Sequence, residues 1–359
     1  MRISFILDTF GGGGKERRCL QLIQGLNRDG YKDIQVIIVN DTVRYPALYE
    51  AEANICILDR KNRNLNLIQT IKELKKQFKD FNPEIVQSWG GISTFLSICL
   101  KPAFKYKLIG SFVADVFGAK AFSLKAFYPF FCDKVVGNSR AGLLAYKIPR
   151  EKAVLIYNGF NENRFDKQVD KQEKKDEIGI QTPFVVAMVA TFWKTKDWRC
   201  YLLSAKQIVA KRKDITFLAI GDGPDWEKCN SLIREEEKRF IMLLGHRSDT
   251  DEILQICDIT ILVSNLGEGV SNSIVESMAF GVPVIATNSG GTPEIIEDGI
   301  NGVLLLNNNV SELVGKIEFL IGNTKKREEM GECASKTIKE SFSLNAMTQQ
   351  YVNLYKSLL

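Results

Sequence analysis

Ile259-Thr260-Ile261-Leu262-Val263-Ser264-Asn265-Leu266-Gly267-Glu268-Gly269-Val270-Ser271-Asn272-Ser273-Ile274-Val275-Glu276-Ser277-Met278-Ala279-Phe280-Gly281-Val282-Pro283-Val284-Ile285-Ala286-Thr287 runs from a short apolar segment through a glycine-flanked loop and a helix-length stretch to a second apolar segment. That order is the strand-helix-strand unit of a parallel sheet. The helix starts near Ser271 to Ser273, and Glu268 falls in the loop at the carboxyl end of the strand. Ligands of open parallel sheets bind at such strand ends, and a helix N-terminus offers amides and a positive dipole to phosphates. A diphosphate finds donors there. Glu276 lies eight positions after Glu268, one carboxylate in the loop and the other on the first turns of the helix, so the two can grip different sets of hydroxyls on one ligand. Ser273-x-x-Glu276 equally fits a capping box, and Glu268 an ordinary turn residue. Spacing alone divides evenly between site and helix start.

Outward from this stretch the same alternation fills the chain. The first half offers strands at Ile3 to Leu7, Ile34 to Val39, Ile55 to Leu58, Ile85 to Gln87, Lys107 to Ile109, Lys134 to Val136 and Val154 to Tyr157. Helices are expected at Glu16 to Asn27 and Leu67 to Phe78. The second half restarts with Phe184 to Val189, Ile215 to Ile220, Ile241 to Leu244, Ile259 to Val263, Val284 to Thr287 and Val303 to Leu306. Two Rossmann-like, doubly wound α/β domains in tandem are the simplest account, 1–165 and 166–342, divided near the charged run Asp166 to Lys175. An apolar stripe of Leu344, Met347, Tyr351, Leu354, Tyr355 and Leu358 makes 343–359 a helix that completes the first domain.

Composition agrees with a two-domain globular enzyme: 359 residues, 45% hydrophobic, 25% charged and a formal charge of +5. Lys and Arg are spread rather than massed, which argues against a nucleic-acid partner. Eight scattered cysteines without a Cys-x-x-Cys pair read as reduced thiols of a cytoplasmic protein, and a lone histidine excludes a catalytic triad or a His-rich metal site. No leader and no spanning apolar stretch is expected, so membrane association is peripheral, at the inner face. The stretch Phe117 to Phe131, rich in aromatics and lysines, suits a lipid-linked acceptor or a membrane-surface patch, and one-sided core packing explains it more economically.

The segment resembles the Glu-x7-Glu signature of the family 4 retaining glycosyltransferases, enzymes of the two-Rossmann GT-B fold. Glu268, Gly269, Asn272, Glu276, Met278, Ala279, Gly281, Pro283, Val284, Ile285, Ala286 and Thr287 carry the match. Gly290, Gly291, Glu294, Asp298, Gly299, Asn301 and Gly302 match the next signature. The resemblance implies that Glu268 binds hydroxyls of the donor sugar, that Gly269, Val270, Ser271, Asn272 and Ser273 lie near sugar and phosphate, and that Glu276 binds the ribose. It decides for ligand grip over helix cap.

Val189 to Trp198 is similar to the segment that opens the family's donor domain. Lys196 matches its diphosphate lysine, and Thr191 stands where an arginine is usual. Gly221, in Gly221-Asp222-Gly223-Pro224, matches a turn near the nucleotide, and His246 with Arg247 matches a loop beside the nucleobase. In the first half Gly13, Gly14, Glu16 and Arg17 match the loop where acceptor and donor diphosphate meet. Asn158 and Gly159, in a family-like stretch ending Arg164-Phe165, are read as hinge residues. The family's mid-domain histidine is missing from Ile109 to Asp115, with Asp115 or backbone carbonyls to stand in. The resemblance implies metal-free, retaining transfer from a nucleotide-sugar donor, most often a UDP-sugar, to a glycan or lipid-linked saccharide. Lys196 and Glu268 carry the catalytic role. An epimerase or hydrolase of the same fold, or an inactive sugar-nucleotide-binding subunit, are the alternatives.

Overall fold

The computed structural model describes residues 1–11, 14–40, 43, 46–113 and 127–359, with only the backbone of Phe112 and Val113. Gly13, Asp115 and most of the aromatic stretch 117–131 lie outside the described residues. The chain divides into two units, Met1–Gly159 with Leu344–Leu359, and Phe160–Ser343.

The first unit runs β1 (Ile3–Leu7), α1 (Gly14–Arg28), β2 (Ile34–Ile38), β3 (Asn54–Ile57), α2 (Leu67–Phe81), β4 (Ile85–Ser88), α3 (Gly91–Leu100), β5 (Lys107–Val113), α4 (Tyr128–Phe131), β6 (Lys134–Gly137), α5 (Arg140–Ala145) and β7 (Ala153–Leu155). Its strands pair in the order β3-β2-β1-β4-β5-β6-β7, all parallel. Strands covered by helices on both faces read as unbroken apolar runs, and β1 is buried at every position. Ile3, Phe5 and Leu7 face a core shared with Leu22 of α1, whereas Ile6 faces Leu74, Phe78 and Leu96 of α2 and α3.

The second unit runs α6 (Lys171–Ile178), β8 (Phe184–Val189), α7 (Trp198–Lys211), β9 (Ile215–Ile220), α8 (Trp226–Asn230), β10 (Ile241–Gly245), α9 (Thr250–Gln255), β11 (Ile259–Leu262), α10 (Asn272–Ala279), β12 (Val284–Thr287), β13 (Val303–Leu305), α11 (Val310–Gly322) and α12 (Thr324–Ser341). Its parallel sheet has the order β10-β9-β8-β11-β12-β13. In both sheets the winding reverses between two central strands, β1 and β4 in one, β8 and β11 in the other, and ligand crevices open at such points.

Helix α13 (Leu344–Leu358) belongs to the first unit, where Met347, Tyr351 and Tyr355 join the core of α1 and β1. Its Tyr355 hydroxyl donates to Gln87 Oε1 of β4.

The thirteen strands among the described residues stand where apolar runs place them, and two details differ from expectation, one in a strand and one at the domain boundary. β5 continues to Val113, past Ile109, because pairing with β6 resumes at Val113 after an irregularity. Residues 160–165, expected in the first domain, group with the second: Phe160 and Phe165 pack edge-on against Phe280, and Arg164 pairs with Asp251. All eight cysteines are free, five of them buried, and burial pushes the Cys132 thiol up to about 12.

Candidate active site

The strand ends of the second unit are tied together before any side chain is considered. Ser264, past β11, bridges antiparallel to Lys196, past β8. Around that bridge the Asp197 amide donates to Val263 O (2.9 Å) and the Asn265 amide to Thr195 O (2.9 Å). The two loops that carry Lys196 and Glu268 therefore form one backbone-paired ledge. On it Lys196 Nζ makes an ion pair with Glu268 Oε1, and Ser264 Oγ donates to the same oxygen at 2.9 Å. The lysine side chain is 9% exposed and the glutamate 26%. Both are sheltered enough for charge to count and open enough to meet a ligand.

Glu268 is held from behind. The Gly291 amide donates to its carbonyl at 2.7 Å. Gly290 sits at φ +59, and a Cβ there would lie 2.0 Å from the Glu268 carbonyl oxygen, so only glycine fits. Thr287 and Asn308 complete the support. Thr287 Oγ1 accepts from the Ser264 amide (3.1 Å) and donates to Asn308 Oδ1 (2.6 Å). Asn308 Nδ2 donates to Ser264 O and to Asp197 Oδ2, both at 3.0 Å. Asp197 Oδ1 in turn caps α7 through the Cys200 amide at 3.0 Å. Asn308 thus joins the ends of β8, β11, β12 and β13.

Gly269 and Val270 are buried in the turn into α10. The N-cap is Ser271, two residues earlier than a Ser273-to-Glu276 capping box requires, and its side chain does not cap. Its hydroxyl instead pairs with Ser273 Oγ at 3.0 Å. Asn272 opens the helix and Glu276 follows one turn in, 5% exposed, with Oε1 accepting from Arg164 Nη1 at 3.2 Å. Glu276 is therefore not the partner of a Ser273 N-cap.

Other expected residues fall further from this centre. Thr191 is exposed, and its carbonyl accepts from Trp198 Nε1 at 3.0 Å. Gly221 serves loop packing: at φ +143 a Cβ would lie 1.9 Å from Ala190 O. His246 is exposed. Arg247, expected beside a nucleobase, is forked onto Asp249 (2.7 and 2.5 Å) and reaches Glu177 at 3.2 Å. That guanidinium holds the Asp249 carboxyl well below the usual carboxylate range. Asp298, Asn301 and Gly302 form a scaffold turn, in which Asn301 Oδ1 accepts from the Glu297 amide at 2.8 Å.

In the first unit, Gly14 is the first residue of α1, Arg17 is half-buried, and Glu16 is 3% exposed with Oε2 lacking a hydrogen bond among the described residues. Its neighbour Arg18, not singled out in the sequence, is buried, donates to Ile156 O at 2.6 Å and stacks over Trp89 and Tyr351.

The residues that bear this geometry fall in one stretch with known relatives. Residues 170–337 match the family model of glycosyl transferases group 1. The match spans just under half of the chain and takes in Lys196, Glu268, Glu276 and Asn308. N-acetyl-alpha-D-glucosaminyl L-malate synthase of Bacillus anthracis is 27% identical over 215 residues, 59% of this chain and 55% of that one. The chain spans about half the length of several curated relatives that it matches. The capsular polysaccharide biosynthesis glycosyltransferase CapM of Staphylococcus aureus is 24% identical over 355 residues, 91% of each chain. Among solved structures, Anabaena HepE in complex with UDP and glucose superposes with a TM-score of 0.86 at 21% identity, over 99% of this chain and 100% of that one. This likeness shows the fold, the two Rossmann-like units of GT-B glycosyltransferases.

Sequence reasoning missed Ser264, Asn308, Asp251 and Arg164. Ser264 and Asn308 sit at strand ends, which was the available signal. Arg164 precedes the group 1 match and stood at the end of a family-like stretch in which only Asn158 and Gly159 were given a role.

Proposed function

We propose that the chain is a retaining glycosyltransferase that moves a sugar from a nucleotide-diphosphate donor, a UDP-sugar, to a hydroxyl of a glycan or lipid-linked saccharide in cell-surface polysaccharide synthesis. The observation that carries this reading is the ledge on which Lys196 and Glu268 meet, with the α10 start and Glu276 on the chain that follows. Glu268 accepts from hydroxyls of the transferred sugar. Lys196 and the amides of α10 draw the charge that develops on the leaving diphosphate, the largest electrostatic contribution such a site can make. Glu276 accepts from the ribose hydroxyls. In the transfer the sugar C1 to phosphate oxygen bond breaks, the acceptor oxygen bonds to C1 on the same face, and the acceptor proton passes to a leaving-phosphate oxygen. Positioning then does the rest, and no protein base is required.

The names of two relatives support donor and pathway: HepE was solved with UDP and glucose, and CapM carries capsular polysaccharide biosynthesis in its name. Phe127, Phe130 and Phe131 are exposed, and Lys101 and Lys152 donate to carbonyls of this segment. An aromatic and basic patch of this kind suits the surface of an anionic bilayer that presents a lipid-linked acceptor. No helix among the described residues is long and apolar enough to cross a membrane.

The test is a thermal-shift panel of nucleotide sugars, followed by transfer to oligosaccharide and lipid-linked acceptors with the product anomer read by NMR. The expected result is stabilisation by a UDP-sugar and an anomer that matches the donor, with turnover unchanged by EDTA. Only isomerised or free sugar with every acceptor offered would overturn the reading.

A further inference from the structure

Glu276 is a buried carboxylate, and it pairs with a cation that is itself held in place. Arg164 stands in the short turn Glu162–Phe165. Its Nε donates to Asp251 Oδ2 at 2.8 Å and its Nη2 to Asp251 Oδ1, a two-pronged pair that fixes the guanidinium plane. Nη1 then donates to Glu276 Oε1 at 3.2 Å. The face of the guanidinium lies over Phe160, with Cζ 4.8 Å from the ring centroid. Phe160 is packed against Phe165 and Phe280, with centroids 5.0 and 5.8 Å away, and Phe280 is the residue that ends α10. The Phe160 amide is held by Phe342 O at 2.7 Å.

The arginine head is thus held by an ion pair, a hydrogen bond and a ring face, and it links the first turn of α9, through Asp251, to α10, through Glu276. Burying a carboxylate without a partner is costly, and one partner in a fixed plane also fixes how the carboxylate is turned. A lysine would supply the charge as a point and leave the turn undefined.

We propose that Arg164 is a positioning residue of the donor site: by matching the charge of Glu276 and fixing its carboxylate, it makes recognition of the ribose diol of a nucleoside diphosphate depend on a residue outside the group 1 match. This rests on the donor-site reading above. Arg164 acts through Glu276, so its signature is selective for the diol.

The experiment is isothermal titration of the full chain and its Arg164→Met and Arg164→Lys variants with UDP, GDP and ADP and their 2′,3′-dideoxy forms. Methionine retains an apolar stem against Phe160. The wild type should bind one ribonucleoside diphosphate more tightly than its dideoxy form. Arg164→Met should weaken the ribonucleotide about tenfold, roughly 1.4 kcal/mol, and shift the dideoxy form less than twofold. Retained dideoxy binding shows that the variant is folded. Arg164→Lys should recover only part of the loss. An Arg164→Met variant that binds as the wild type does, or that loses both forms equally, would overturn the inference alone, as would full recovery in Arg164→Lys. A wild type that binds the two forms equally, or binds none, would overturn the donor-site reading and this inference with it.

Discussion

At the switch point of the first unit, Asp8 follows β1 directly and its carboxylate accepts from the amides of Ser93 (2.7 Å) and Ile92 (3.2 Å) at the start of α3. At the switch point of the second unit the corresponding strand, β8, leads into the loop of Lys196, and the corresponding helix, α10, begins without a cap from its Ser271. The winding around the switch point is the same, yet one helix start is capped by the chain's own anion and the other follows a loop whose Glu268 is paired with Lys196. A helix N-terminus attracts negative charge in either case. In the first unit that attraction contributes to folding. In the second, under the proposed function, the same attraction serves the donor diphosphate together with Lys196.

The largest effect should come from removing the cation that distinguishes the two starts. Lys196→Ala is expected to slow sugar transfer by about 10²- to 10³-fold, the range seen when one preorganised donor to developing charge is lost. Steady-state transfer with the donor found by the panel measures it, and wild-type turnover would remove Lys196 from the site. A smaller effect should follow from making the second unit resemble the first. Ser271→Asp places a carboxylate at the α10 N-cap, where aspartate is among the strongest caps. It should weaken UDP by roughly ten- to a hundredfold, through like charge and occupied amides, while the melting temperature holds or rises. Undiminished UDP affinity in that variant would show that the α10 start is not where the diphosphate sits.

The same comparison shows what could be read in the sequence. The thirteen strands among the described residues were legible because strands covered on both faces are continuous apolar runs, and glycine-punctuated loops separate them. Lys196, Glu268 and Glu276 were singled out through family resemblance, since spacing left the glutamates undecided. What sequence could not give was partnership between distant segments. Asn308 lies in a run of three asparagines, and only the folded sheet ends bring it to Asp197, Thr287 and Ser264. Arg164 pairs with Asp251 and Glu276 across 87 and 112 residues of chain. The ion pairs of Arg247 with Asp249 and Glu177, 2 and 70 residues away, were likewise not legible from its loop position. The Asp298 to Gly302 signature, matched as fully as the Glu-x7-Glu one, builds a turn whose Asn301 ties Ile295, Glu297 and Thr337 together.

The smallest effect on ligand binding, and the sharpest control, belongs to Asp8. If its carboxylate is a structural occupant of the α3 start, Asp8→Ala should destabilise the protein by about 0.5–2 kcal/mol, the cost of losing a helix cap. That corresponds to roughly 2–4 °C in melting temperature per kcal/mol for a unit of this size. Gly90 argues that the position is built around Asp8, since a Cβ there would lie 2.4 Å from the carboxylate. Hydrogen exchange should accelerate at the start of α3, at Ile92 and Ser93, and stay unchanged in α10. UDP affinity should remain within twofold. Loss of UDP binding without loss of stability would mean that Asp8 serves a ligand as Lys196 does, and the contrast between the two helix starts would fail.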